Sequence, residues 1–305
     1  MTEKHLLTGL IAAPFTPMDG EGRVNLPRVK DYADYLAAKG CVNGVFICGT
    51  TGEYASTTVD ERKSLAEAWI EAARGRLKVV VHVGSNCALD SADLAAHARR
   101  IGADAIAAIA PNYFKPATVK DLVMFLKPVA TAAADLPFYF YNFPGMSGVH
   151  LPVEEFLIEG KKEMPNLSGV KFTHNDFYEM QRLVNLNGGE FNILNGYDEM
   201  LLAGLVCGVQ GAVGSTYNFV PGIYHNLIEA FNSGDISEAR KWQYEAVKIV
   251  KVLIAHGGGT KGGKAFMKLT GVDCGDCRYP FAPVSESELS TIREELKQTM
   301  FFDFI

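Results

Sequence analysis

Lys171 stands in the run Gly169-Val170-Lys171-Phe172-Thr173, with Leu167, Val170 and Phe172 as apolar neighbours and Thr173-His174-Asn175 following. The pattern reads as a buried strand that ends in a polar loop. Desolvation disfavours an ammonium there and lowers its pKa from ~10.4, which exposes a nucleophilic amine near neutral pH. An amine in that state can attack a ketone and form a Schiff base. The competing reading is a lysine whose stem follows the strand while its head reaches water. Other groups of suitable chemistry recur along the chain. Tyr141, in Tyr139-Phe140-Tyr141-Asn142-Phe143-Pro144, offers a phenol for proton transfer, or else a buried tyrosine bonded to a carbonyl. Gly49-Thr50-Thr51-Gly52-Glu53 can turn tightly enough for its amides and hydroxyls to form a nest for a carboxylate or phosphate, or it caps the helix that follows. Asp198 and Glu199, in Asn195-Gly196-Tyr197-Asp198-Glu199, suit sugar hydroxyls as hydrogen-bond acceptors, and equally suit the positive end of a helix dipole.

These residues share a mouth only if the elements that carry them are arranged around one centre. Strand-like runs are expected at Leu10–Phe15, Gly44–Cys48, Val79–Val83, Ala105–Ala110, Phe138–Tyr141, Leu167–Thr173, Phe191–Leu194 and Gly211–Gly214. A helical pattern follows each one: Leu26–Lys39, Val59–Ala73, Ser91–Ile101, Val119–Ala134, Val153–Lys161, Tyr178–Leu186, Glu199–Val206 and Ile223–Asn232. Thr58 with Glu61, and Thr118 with Asp121, give two of these helices capping-box starts. Continuous apolar strands alternating with helices argue for a parallel sheet covered on the outside. Eight such units predict an α/β protein with a (β/α)8 TIM barrel, a doubly wound open sheet being the rival arrangement. The barrel is expected over residues 1–233 and a C-terminal helical extension over 234–305. In a barrel, chemistry gathers where the strands end at their carboxyl side. Thr50 and Thr51 follow the second strand, Asn112-Tyr113 the fourth, and Tyr141 closes the fifth. Lys171 lies in the sixth, Gly196 and Asp198-Glu199 follow the seventh, and Ser215 follows the eighth.

Composition excludes several other classes. Acidic residues number 35 against 29 basic, with no basic stripe, which argues against nucleic acid as a partner. No apolar run reaches the ~18 residues of a transmembrane helix. Leu6–Phe15 is interrupted by Thr8, Gly9 and Pro14, and reads as a first strand rather than a signal core. The six cysteines are scattered, as buried free thiols of a reducing cytoplasm would be. Cys274 and Cys277 form a C-x-x-C without a second pair at zinc spacing, so a surface turn is expected. Gly258 to Lys264 matches a phosphate-loop pattern, but Ala265 stands where a hydroxyl is needed and a helix precedes it. A helix–helix connection is expected there, between one long helix with apolar Trp242, Val247, Ile249, Val250 and Leu253 and a short helix at Lys264–Leu269; a third starts at Ser285, where Glu288 would complete a capping box.

Gly49–Glu53, Tyr141-Asn142-x-Pro144, Gly169-Val170-Lys171 and Gly211–Ser215 occur in order at the strand ends. On these motifs the chain resembles the dihydrodipicolinate synthase / N-acetylneuraminate lyase family of Schiff-base aldolases over essentially its whole length. The resemblance implies a barrel with C-terminal helices, a homotetramer, and pyruvate held as an imine on Lys171. It further implies Tyr141 as the proton-transfer residue, Thr50 and Thr51 as the pyruvyl-carboxylate site, and no metal or organic cofactor. Within the family, Met146 stands where the synthases carry an arginine, and Asn112-Tyr113 where they usually carry two tyrosines. The segments Asn195–Glu199, Gly214–Asn218 and Met146–Val149 are instead similar to the sialic acid lyase pattern. That similarity implies that Thr173, Gly196, Asp198, Glu199 and Ser215 contact the sugar's hydroxyl-bearing chain. The implied small-molecule partners are N-acetylneuraminate, N-acetylmannosamine and pyruvate. A different 2-oxo acid aldolase or dehydratase of the family, and a non-catalytic relative that binds a small acid, are the alternatives.

Overall fold

The computed structural model describes residues 7–305. Among them, eight parallel strands close into a barrel in strict sequence order, and the first pairs with the last. The strands are β1 (Gly9–Ala12), β2 (Val42–Ile47), β3 (Lys78–His82), β4 (Ala105–Ile109), β5 (Phe138–Asn142), β6 (Leu167–Phe172), β7 (Asn192–Asn195) and β8 (Gly211–Gly214). A helix follows each: α1 (Pro27–Ala38), α2 (Val59–Ala73), α3 (Ala88–Arg100), α4 (Val119–Ala132), α5 (Val153–Glu163), α6 (Phe177–Asn185), α7 (Leu201–Cys207) and α8 (Pro221–Asn232). The chain thus forms the expected closed barrel, not an open sheet. Both expected capping boxes are present, at Thr58/Glu61 and Thr118/Asp121. Of the Leu6–Phe15 stretch, Leu6 lies outside the described residues. The strand itself stops at Ala12, although Ala13 N–H still donates to Gly214 at 2.8 Å.

Alternation along the strands separates two apolar layers. Phe138, Phe140, Val170 and Phe172 point outward into the large core between strands and helices. Tyr139, Tyr141, Phe46, Ile109, Leu194 and Val213 fill the barrel interior. Residue 169 must be glycine at the sixth strand, because a Cβ there would lie 2.0 Å from the Asn192 carbonyl oxygen.

Four helices complete the chain: α9 (Ile236–Ala255), α10 (Gly258–Thr270), α11 (Glu286–Leu296) and the single turn α12 (Phe301–Phe304). They share the outer core with the barrel through Ile249, Phe266, Leu296 and Phe301. Three expectations need correction here. Gly258 to Lys264 is the first half of α10 and not a connection between helices. Ser285 does cap α11, but Glu288 turns its side chain to Lys261 at 3.1 Å and does not complete the capping box. Cys274 is fully buried in the loop after α10 and donates to Val272, so that C-x-x-C is not a surface turn. All six cysteines are free thiols.

Candidate active site

Parallel pairing sets Tyr141 of β5 directly beside Lys171 of β6, and Leu194 of β7 on the other side of Lys171. Both functional side chains point into the barrel. Lys171 Nζ sits 4.2 Å from the Tyr141 ring centre and 4.4 Å from that of Phe46. Aromatic faces favour the ammonium by only ~0.5–2 kcal/mol. Burial outweighs them and pulls the amine down to about 7, with the negative charge of Asp198 opposing the shift. Lys171 therefore does not snorkel to water; it remains 5% exposed. Burial pushes the Tyr141 phenol well above its ordinary value, opposed by its hydrogen bond to Thr50, whose hydroxyl oxygen lies 3.3 Å away. A phenol so raised stays protonated at neutral pH. It can accept a proton in a reaction only while passing its own to another group.

His82, at the end of β3, packs its ring edge-on against Tyr141 at 5.8 Å. Its Nε2 accepts from the Ile109 amide at 3.3 Å, so Nδ1 carries the hydrogen and donates to the Cys48 carbonyl at 2.8 Å. Full burial, together with the nearby Arg62 cation, holds this imidazole well below its ordinary value. His82 is a neutral strut under the mouth that also holds the end of β2.

The loop after β2 is built for close approach. Cys48 and Glu53 both adopt left-handed backbone, at φ 55° and φ 56°, and flank Gly49-Thr50-Thr51-Gly52. A Cβ at Gly49 would meet the Phe46 ring at 3.0 Å. The turn is closed by Glu53 N–H donating to Thr50 at 3.0 Å and Tyr54 N–H donating to Gly49 at 3.2 Å. Thr16 donates to the Gly52 carbonyl at 2.6 Å from β1's side. Thr50 and Thr51 are half-buried at the rim, and Thr50 reaches Tyr141.

On the opposite wall, Asp198 is buried in the turn after β7. It does not cap its own helix. Its Oδ2 accepts from the Thr216 amide at 2.9 Å and from the Thr216 hydroxyl at 2.7 Å, which ties the ends of β7 and β8 together. Asp198 Oδ1 is buried and unpaired among the described residues, as are Thr173 Oγ1 and the Tyr217 hydroxyl. Burial raises the Asp198 carboxyl, and the Thr216 bonds and Lys171 oppose that shift. Burial, then the charge of Asp198, raises Glu199. Two glycines make room for this wall. A Cβ at Gly196 would lie 2.1 Å from Thr173 Oγ1, and one at Gly214 only 1.6 Å from Asp198 Oδ1. Ser215 lies beside α10, where a Cβ at Gly259 would be 3.4 Å from its hydroxyl. Gln243 of α9 donates to the Asp198 carbonyl at 3.3 Å.

The structure thus gathers Lys171, Tyr141, Thr50, Thr173, Asp198 and Gly196 about one mouth, with Thr51, Glu199 and Ser215 on the same rim loops. Tyr113 points away, 78% exposed and edge-on to Phe114. Sequence reasoning missed Phe46, His82 and Thr216. His82 was legible as a polar residue near the carboxyl end of the third strand, where no candidate was sought. For a metal, His174, Asp176 and Glu179 bring ligand atoms within 4.8 Å of one another at the start of α6. One oxygen of Asp176 caps the helix, and one of Glu179 accepts from the Val153 amide. The mouth itself offers an amine, phenols, hydroxyls and one carboxylate that already accepts from Thr216. That is a set for organic oxygen groups.

The N-acetylneuraminate lyase of Danio rerio is 41% identical over 293 residues, covering 95% of this chain and 95% of that protein. The solved N-acetylneuraminate lyase of Proteus mirabilis superimposes with a TM-score of 0.93 at 40% identity, covering 97% of this chain and 99% of that one. A sialic acid aldolase of Ruminococcus gnavus, solved as a catalytic lysine mutant, superimposes with a TM-score of 0.92 at 32% identity over 100% of this chain and 99% of that one. The model of the dihydrodipicolinate synthetase family matches residues 6–299, and the chain belongs to that family.

Proposed function

We propose that this chain is a Schiff-base aldolase that reversibly cleaves N-acetylneuraminate to N-acetylmannosamine and pyruvate. The observation that carries the chemistry is the buried Lys171 amine, drawn down to about 7 and packed on the Tyr141 ring. Similarity to N-acetylneuraminate lyases over nearly the whole chain, at about 40% identity, supports the choice of substrate. Lys171 attacks the C2 ketone of the open-chain sugar acid, and water leaves as the iminium forms. The iminium draws the C3–C4 electron pair as that bond breaks, giving an enamine. The C4 hydroxyl proton passes to Tyr141 while the phenol gives its own to the substrate carboxylate. N-acetylmannosamine departs as the aldehyde. C3 of the enamine is then protonated, and water releases pyruvate from Lys171. The iminium itself is the electron sink, so the reaction calls for neither metal nor organic cofactor.

Thr50 and Thr51 hold the pyruvyl carboxylate in this reading. Thr173, Gly196, Asp198, Glu199 and Ser215 form the sugar wall. Met146, exposed on the short turn Pro144–Ser147, brings no cation to the mouth, which disfavours a second dicarboxylic substrate of the synthase type. Residues 1–233 serve as the barrel and 234–305 as the extension. The proposal places the protein in the cytoplasm as a homotetramer, with no nucleic-acid or membrane partner. No described helix is long and apolar enough to cross a membrane. The exposed Tyr113–Phe114 pair supplies an apolar contact for a second copy.

Pyruvate release from a panel of sugar acids tests the substrate, with N-acetylneuraminate expected to be turned over best. Release from another sugar acid with N-acetylneuraminate inert would move the enzyme elsewhere in its family. Asp198→Asn keeps the shape that Thr216 requires but weakens a charged acceptor. It and Glu199→Gln are each expected to lower catalytic efficiency roughly ten- to hundredfold, from about 1.5–3 kcal/mol per lost charged hydrogen bond. Trapping of pyruvate on Lys171 should persist in both. Unchanged efficiency with a lowered melting temperature would leave these acids with a structural role only.

A further inference from the structure

The buried ion pair between Glu53 and Lys264 lies outside the chemistry described so far. Lys264 of α10 and Glu53 of the loop after β2 meet at 2.7 Å, with side chains 1% and 0% exposed. Each has further partners. Lys264 Nζ donates to the Asp276 carbonyl at 3.0 Å, and Glu53 Oε2 accepts from the Arg278 amide at 2.9 Å. Arg278 in turn donates to the Ser56 carbonyl at 2.7 Å and pairs with Glu61. The C-terminal segment thus grips the β2–α2 connection at three points.

Glu53 is also one of the two non-glycine residues in this loop with left-handed backbone. A residue with a Cβ holds that conformation only where its surroundings enforce it. The Glu53 carboxylate anchors it to Lys264 and to the Arg278 amide, and the Glu53 carbonyl accepts from the Ser56 amide at 2.8 Å. The backbone amide of the same residue closes the turn on Thr50, and the next amide closes it on Gly49. Side chain and turn are therefore one mechanical unit: the angle at Glu53 sets where Thr50 and Thr51 present their hydroxyls and amides.

We propose that Glu53 and Lys264 are positioning residues for the anion-holding loop, through which the C-terminal extension governs recognition of the substrate's carboxylate. The inference rests on Thr50 and Thr51 holding that carboxylate. Neither Glu53 nor Lys264 touches the substrate; Glu53 acts through the Thr50 turn, and Lys264 through Glu53.

Borohydride trapping on the full chain with two ketones separates positioning from folding. Pyruvate uses the loop to form its imine on Lys171; acetone has no carboxylate and does not. Half-saturating concentrations for both are measured for Glu53→Gln, well below the melting temperature of the variant. The expected result is a loss of about tenfold in the preference for pyruvate over acetone, with acetone trapping unchanged. A melting temperature lowered without a change in that preference would overturn the inference. Should Glu53→Gln fail to accumulate as folded protein, Glu53→Gln/Lys264→Gln replaces the ion pair by an amide pair and carries the same expectation. Thr51→Val, measured alongside, tests the underlying reading. If it retains the full preference together with Glu53→Gln, the carboxylate site lies elsewhere. If it alone loses the preference, the site stands and the positioning role falls.

Discussion

Lys171→Met is expected to abolish cleavage and to melt at a higher temperature than the parent chain. Loss of activity follows from the absence of an amine, since no imine forms and no electron sink replaces it. The gain in stability follows from burial. The Lys171 pKa falls from 10.5 to about 7 on folding. A lysine lowered in this way binds its proton more weakly in the folded state, so it destabilises the fold wherever the unfolded chain is protonated. At about 1.4 kcal/mol per pKa unit the penalty is about 3–5 kcal/mol below pH 7. It shrinks as pH rises through 7 and is gone above 10.5. Methionine preserves the apolar stem and loses the contacts with Phe46 and Tyr141, so the net gain is several degrees in melting temperature. Calorimetry on both proteins from pH 6 to the alkaline side is the check. The gap should be widest at the acid end and narrow steadily toward high pH. A variant that melts lower at pH 6 would show that the ammonium is well accommodated and that the amine is not primed. Cleavage by the parent chain should correspondingly rise with pH through about 7.

Tyr141→Phe is expected to lower turnover by about 10²–10⁴-fold, the usual contribution of a positioned proton-transfer group. The variant retains the ring that packs on Lys171, Phe46 and His82. Imine formation should therefore survive while bond cleavage slows. Burial pushes the phenol well above its ordinary value, which makes it a relay and not a free base. For that reason the rate loss should not be recovered at alkaline pH. Single-turnover kinetics separate the two steps. Near-parental cleavage by Tyr141→Phe would mean that another group moves the proton.

Much of this arrangement was legible in the chain. Apolar runs of four to seven residues, each followed by a helical period, could hardly be read otherwise than as strand–helix units. The position of Lys171 in such a run allowed either a desolvated amine or one that reaches water, and only the burial of its side chain decides between them. Tyr141 at the end of the neighbouring strand followed from the barrel order. What resisted reading depends on contacts between distant segments. Asp198 was expected as a sugar contact or a helix cap, but one oxygen is bound by Thr216, from the far side of β8. Lys264 sits in a glycine-rich run whose low helix propensity suggested a connection. Those glycines are there for close packing: a Cβ at Gly263 would lie 2.3 Å from Phe15, and one at Gly262 2.8 Å from the Leu253 carbonyl. Tertiary packing thus keeps the run helical, and the helix delivers a buried cation to Glu53. No local pattern announces such a pairing.

The central claim is that Lys171 forms the covalent imine with pyruvate. Incubating the full chain with pyruvate and borohydride, then mapping the product by peptide mass spectrometry, tests it most directly. The account predicts one reduced pyruvyl group, carried on the peptide containing Lys171, and a matching loss of cleavage activity. An adduct on another lysine such as Lys264, or inactivation without any adduct, would contradict it.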